Sequence, residues 1–136
     1  MKFNKNRHSV YKLQYHLVIV TKYRHKCINK EISIRLKEIA YNIFENRWKC
    51  KIIKIESEAD HLHIAFEALP QIQLSKLVNN FKTVSSRLIR KEFKEYLKPF
   101  YWKPYFWSPS YCIVTFGGAT IDIIKEYIKN QDKPNK

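Results

Sequence analysis

The order strand, helix, strand, strand, helix, strand, helix predicts an α+β fold of the ferredoxin-like, split βαβ kind (β-α-β-β-α-β): an antiparallel sheet with an additional C-terminal helix. Two patterns carry this prediction: period-two alternation in the strand segments, and apolar residues recurring every three or four positions in the helical ones. A single domain over residues 1–136 accommodates all seven elements. In this topology the first and third strands are central, helices cover one face of the sheet, and the other face is open to a ligand.

Tyr11 to Thr21 alternates, with Tyr11, Leu13, Tyr15, Leu17 and Ile19 on one side and Gln14 and His16 on the other. After the basic turn Lys22-Tyr23-Arg24-His25-Lys26, the residues Ile32, Leu36, Ile39, Ala40, Ile43 and Phe44 define the first helix, with Asn29 placed to cap it. Isoleucine-rich Cys50 to Glu58 is the second strand and His61 to Ala68 the third, joined as a hairpin through Ser57-Glu58-Ala59-Asp60. Pro70 ends that strand. Leu74, Leu77, Val78, Phe81, Val84 and Leu88 then mark one face of a long second helix that stops before Pro99 and whose other face is basic. Pro99, Pro104 and Pro109 punctuate an aromatic loop, and Tyr111 to Phe116 makes the fourth strand. Gly117-Gly118 breaks the chain before a last helix from about Thr120 to Gln131.

Composition narrows the function. Hydrophobic residues are 45% and aromatics 15% of the 136, which excludes disordered and low-complexity classes. The only two glycines are adjacent, so the glycine-rich phosphate loops of nucleotide-cofactor enzymes are absent. A formal charge of +14 points to a polyanionic partner. The longest aliphatic run, Leu17 to Val20, is far below the roughly 18 residues of a membrane span, which favours nucleic acid over membrane. No signal-peptide pattern follows the basic N-terminus, so a cytoplasmic location is expected. Cys27, Cys50 and Cys112, odd in number and widely spaced, read as ordinary buried thiols.

In Asp60-His61-Leu62-His63-Ile64-Ala65-Phe66-Glu67, strand geometry sends His61 and His63 to one face and Leu62, Ile64 and Phe66 to the other. Two neighbouring imidazoles can chelate a divalent cation if a third donor joins them. By itself the segment reads first as surface histidines on a half-buried strand. Tyr127 and Gln131, four residues apart, share a helical face beside the stripe Ile121, Ile124 and Ile128. A tyrosine can attack a phosphodiester and a glutamine carbonyl can ligate a hard cation, although a lone helical tyrosine is ordinarily a packing residue.

Together these segments resemble the single-tyrosine HUH transposases of small bacterial insertion sequences (histidine, bulky hydrophobic, histidine), including the transposase A and REP-associated tyrosine types. The resemblance runs through Tyr15-His16-Leu17-Val18, Thr21-Lys22-Tyr23-Arg24, Asp60-His61-Leu62-His63, Ser85-Ser86-Arg87, Trp107, Ser110-Tyr111 and Tyr127-Ile128-Lys129-Asn130-Gln131. It departs from the family at Thr115-Phe116-Gly117, where a smaller aliphatic residue is usual in the middle. The resemblance implies cutting and rejoining of single-stranded DNA, with His61, His63 and Gln131 holding Mg²⁺ or Mn²⁺ and Tyr127 as nucleophile, leaving a 5′-phosphotyrosine and a free 3′-hydroxyl. It also implies recognition of DNA hairpins near element ends, a nucleoid location in a bacterium or archaeon, and a homodimer whose active sites are shared between chains, with Gly117-Gly118 as the hinge.

Lys22 and Arg24 in the basic turn, and Lys82, Arg87 and Arg90 on the second helix, are the candidate phosphate contacts. Phe100, Tyr101, Trp102, Tyr105, Phe106 and Trp107 form the densest aromatic cluster, suited to packing first and to stacking on unpaired bases second. Two other readings compete: a non-catalytic single-stranded nucleic-acid-binding module, and a related single-tyrosine nickase acting on chromosomal repeats. The module would explain the charge but not the joint presence of His61, His63, Tyr127 and Gln131, and the short chain favours the transposase over the nickase.

Overall fold

A computed structural model describes residues 12–116 and 120–131. Its sheet has four antiparallel strands in the order β2-β3-β1-β4, with β1 at Leu13–Val20, β2 at Lys51–Glu58, β3 at His61–Ala68 and β4 at Cys112–Thr115. The expected ferredoxin-like arrangement is therefore present, with β1 and β3 central. The helices are α1 (Lys30–Ala40), α2 (Leu74–Glu92), the single turn α3 (Lys94–Leu97) and α4 (Thr120–Lys129). Asn29 caps α1 as its position predicts, accepting from the Ile32 backbone N–H at 2.8 Å.

Strand parity sorts the apolar residues. Leu17 and Ile19 of β1 and Leu62, Ile64 and Phe66 of β3 are fully buried in one core with Ile32 and Leu36 of α1 and Leu77 and Phe81 of α2. Phe44 closes its centre, edge-on to Phe66 at 5.0 Å and to Phe81 at 5.7 Å. Residues of the opposite parity, among them His16, His61 and His63, stand on the other face.

Several boundaries differ from the sequence expectation. Tyr11 and Gly117-Gly118 lie outside the described residues, as does the hinge expected there. The β2–β3 turn is only Ala59-Asp60, because Ser57 and Glu58 still pair with Leu62 and His61. The first helix changes pitch after Ala40: Tyr41–Arg47 is a π-helical turn, closed by Trp48 N–H donating to the Ile43 carbonyl at 3.0 Å. Glu45 then accepts from the Ile52 N–H at 2.8 Å, beside the register shift between Ile52 and Lys54. The second helix stops before Pro99 as expected, but not as one piece. It breaks at Phe93 (φ −119°, ψ 34°), and Arg35 of α1 clamps Glu92 beside the break with two bonds of 2.8 and 3.0 Å. Among the thiols, Cys112 is half-buried rather than buried.

The segment between α3 and β4 is bound to α2 through Trp107, whose indole N–H donates to Ser85 Oγ at 2.9 Å. Ser85 is fully buried and donates in turn to the Phe81 carbonyl at 2.6 Å. Replacing Ser85 with alanine strands a buried indole N–H, so Ser85→Ala is expected to lower unfolding stability by about 1–3 kcal/mol. Urea denaturation checks this, with half-exposed Ser86→Ala expected to cost less.

Candidate active site

The antiparallel register of β1 and β3 sets Val20 opposite His61 and Val18 opposite His63, so His16 stands diagonally beside His63 on the face away from the core. That face is not simply open as expected, since Val18 and Val20 on it are fully buried. His16 Nδ1 and His63 Nε2 are 2.8 Å apart, sharing one hydrogen whose position depends on the tautomers. Phe116 stacks on the outer side of the His16 ring, with centroids 4.1 Å apart. Sequence reasoning put His16 on this face but gave it no part in the site; pairing the period-two parities of β1 and β3 would have revealed it.

His61 is oriented from the turn before it, its Nδ1 lying 2.9 Å from Asp60 Oδ1. The other Asp60 oxygen receives Arg24 Nε at 3.4 Å. The Asp60 carbonyl accepts from the Thr21 N–H at 2.9 Å and from its hydroxyl at 3.2 Å. Thr21-Lys22-Tyr23-Arg24 is thus the clamp on the hairpin turn that carries His61. It requires left-handed backbone at two consecutive non-glycine residues, Tyr23 (φ 60°) and Arg24 (φ 56°), at a cost of about 1–2 kcal/mol each.

Tyr127 and Gln131 converge on the segment before β4. Ser110 Oγ lies 2.8 Å from the Tyr127 hydroxyl, and Gln131 Oε1 accepts from Ser108 Oγ at 3.2 Å and Ser110 Oγ at 3.4 Å. Lys82 of α2 fixes this segment from beneath, its ammonium donating to the Ser108 carbonyl at 2.8 Å and the Ser110 carbonyl at 3.2 Å. Ser108 N–H also donates to the Val20 carbonyl at 2.7 Å, and Val20 is the cross-strand partner of His61. One short segment therefore links the strand carrying the histidines to the helix carrying Tyr127.

Burial pushes the Tyr127 phenol above its ordinary value near 10, with the Ser110 hydrogen bond pulling the other way. Desolvation lowers the Lys82 ammonium. His16 is lowered by desolvation, and His63 by desolvation and then by His16, with Glu56 opposing.

The expected phosphate contacts fare differently. Arg24 and Lys82 are engaged inside the protein as described. Lys22 holds its ammonium over the rings of Tyr23 and Tyr105, at 4.9 and 5.1 Å. Arg90 is half-buried with its Nε on Ser86 Oγ at 3.1 Å, whereas Arg87 is exposed on α2. Of the aromatic cluster, Tyr101, Phe106 and Trp107 are buried, while Trp102 is 85% exposed. Among the described residues, no group of three or more His, Cys, Asp or Glu is arranged to hold a metal, and no helix is long and apolar enough to cross a membrane.

Residues 9–131 match the family of IS200-like transposases. The chain belongs to this family. It is 34% identical over 131 residues to the ISDra2 transposase TnpA of Deinococcus radiodurans, covering 96% of this chain and 92% of that protein. It is 31% identical over 130 residues to the transposase for insertion sequence element IS200 of Salmonella typhimurium, covering 95% and 83%. A solved transposase structure from Deinococcus radiodurans superposes with a TM-score of 0.85 at 33% identity, covering 96% of this chain and 98% of that one. A REP-associated tyrosine transposase solved with a REP hairpin shares the fold at a TM-score of 0.52 and 10% identity, over 92% and 68% of the two chains. As an IS200-like transposase, the protein is a DNA-cleaving enzyme.

The lowered histidines give this transposase a defined acid sensitivity. The unfolded chain protonates both near pH 6.5, the folded chain only at lower pH, so the unfolded state binds more protons across that window. The contribution is fully present above about pH 6.5 and is lost as pH falls through the folded values. Denaturation midpoints are expected to drop between about pH 7.5 and pH 5.5. The drop should shrink in His16→Asn; an unchanged drop there would remove His16 from this account.

Proposed function

We propose that this transposase cuts and rejoins single-stranded DNA at the ends of an insertion element through a 5′-phosphotyrosine on Tyr127. The observation that carries the reading is the Tyr127 hydroxyl held 2.8 Å from Ser110, with Gln131 on the same serine pair, in a segment hydrogen-bonded to the strand opposite His61. Tyr127 Oη attacks the scissile phosphorus, its proton relayed through Ser110 Oγ to water as the P–O3′ bond breaks, and the 3′ oxygen takes a proton from water to leave as a hydroxyl. The ester conserves the phosphodiester bond, so a 3′-hydroxyl from another end can displace the tyrosine without a nucleotide cofactor.

The residues suit a divalent cation held by His61, His63 and Gln131. Asp60 occupies His61 Nδ1, which leaves Nε2 to serve as a ligand, the usual carboxylate–histidine arrangement. The nitrogen donors and the amide oxygen match Mg²⁺ or Mn²⁺ less tightly than softer metals, in keeping with an exchangeable ion. A bound ion would polarise the scissile phosphate and neutralise charge developing on it. To take part, Gln131 must leave its two serines, and His63 must either release His16 from Nε2 or present its Nδ1, which lies 3.8 Å from Glu56 Oε1.

The reading extends to subterminal DNA hairpins as the recognised form, consistent with the +14 charge and with the hairpin in the REP-associated relative's structure. It further includes one functional domain over residues 1–136, a homodimer sharing active sites, and work in the cytoplasm on nucleoid DNA. Mixed dimers of Tyr127→Phe and His61→Ala chains regain activity if sites are shared and stay at background if they are not.

Labelled single-stranded DNA from the element's ends is expected to yield a covalent adduct on a denaturing gel. The adduct should require Mg²⁺ or Mn²⁺, vanish with a chelator and vanish in Tyr127→Phe. Ser110→Ala should slow its formation roughly ten- to hundredfold by loosening the phenol. Tight binding with no adduct under either metal, on either end, would leave a nucleic-acid-binding module as the better account.

A further inference from the structure

Two cavities adjoin along the segment before β4. The smaller, about 270 Å³, lies between α2 and Phe106–Pro109 and is lined by Ser108, which donates to Gln131, and by Lys82, which donates to the Ser108 carbonyl. The larger, about 550 Å³, continues past Pro104 and Tyr105, which line both, and is walled by Arg90, Lys94, Lys98, Lys103 and Trp102. Arg90 connects them again through its bond to Ser86, a wall of the smaller cavity.

We propose that these cavities form one track for the single-stranded DNA flanking the phosphate presented to Tyr127. Phosphates would lie along Arg90, Lys94 and Lys103, and an unpaired base would stack on Trp102. The track rests on the active-site reading above, because one end abuts the serine that holds Gln131.

Three features favour this occupant. Trp102 exposes 85% of its surface, an unusual placement for the largest apolar side chain, and its ring offers a flat platform. Lys103 sits 4.9 Å from that ring, and Lys22 sits 5.1 Å from the Tyr105 ring, so cations and π-faces occur side by side, as bases and phosphates do along a strand. Lys98 is paired with Glu95 at 3.0 Å, which leaves the phosphate contacts to Arg90, Lys94 and Lys103. A duplex keeps its base faces stacked inside and cannot reach Trp102, whereas a single strand can.

The test uses the full chain and fluorescent oligothymidylate of graded length, with a duplex of equal length as control. Single-strand binding should quench tryptophan fluorescence, and most of that quench should be lost in Trp102→Phe while affinity is retained, since phenylalanine still stacks. Trp102→Ala should weaken single-strand binding about tenfold and leave duplex binding unchanged. Lys94→Gln and Lys103→Gln should each reduce the salt slope of single-strand binding by about one. The track is refuted if Trp102→Ala binds oligothymidylate as tightly as the parent protein, or loses single strand and duplex equally. No step of this test needs cleavage, so Trp102-dependent binding of oligothymidylate, together with no covalent adduct on DNA from the element's ends under either metal, would refute the tyrosine mechanism and leave the track standing.

Discussion

The register of β1 on β3 is the constraint on which the rest depends. Because side chains alternate with a period of two, a slip of one residue would turn His61 and His63 into the core and Leu62 and Ile64 into water. The fully buried Leu17, Ile19, Leu62, Ile64 and Phe66 make that slip prohibitive, each side chain contributing about 1.5–3 kcal/mol by leaving water. The hydrophobic effect thus places the polar chemistry indirectly: it buries one face, and the histidines stand where the other face must be. The same register brings His16 beside His63 and puts Val20, the anchor of Ser108, across from His61.

Around that frame the protein invests in rigidity at two points. Tyr23 and Arg24 hold left-handed backbone that glycine would adopt freely, yet their side chains are needed, one packed on Tyr105 and the other on Asp60. Lys82 gives up hydration to place its ammonium on two carbonyls, and the fall in its proton affinity is the mark of that desolvation. Both devices serve position: the first aims His61, the second aims the serines facing Tyr127 and Gln131. A basic residue in a nucleic-acid enzyme is therefore not by that fact a phosphate contact.

Much of the fold was legible because period and caps are local signals. The alternation around Leu17 and His63, the Asn29 cap and the helical stripe of Leu77 and Phe81 depend on neighbours a few positions away. What the sequence hid was longer in range. The π-helical turn at Tyr41–Arg47 goes with Glu45 reaching Ile52 in another element, and the end of α2 goes with Arg35 gripping Glu92 across 57 positions. At the site, Tyr127 and Gln131 were readable as one helical face. The Lys82–Ser108–Ser110 support was not, since a lysine buried against carbonyls leaves the same letters as a solvated one. His16 lay between these cases, its face readable but its partner set by strand pairing.

Each group of the proposed chemistry is satisfied locally in the arrangement described. His63 is bonded to His16, the Gln131 carbonyl to Ser108 and Ser110, and the Tyr127 phenol to Ser110. These are mostly neutral, partly exposed bonds, each contributing about 0.5–1.5 kcal/mol net, so exchanging one for a ligand or a phosphate oxygen is inexpensive. Tyr127 differs, because burial holds its proton more firmly than water would. An enzyme that joins strands as well as cutting them gains from that balance. Under the proposed mechanism the phenol is neutral at rest, as any tyrosine is near pH 7, and a bound phosphate with its countercharges must help draw off its proton, which ties the reaction to a bound strand.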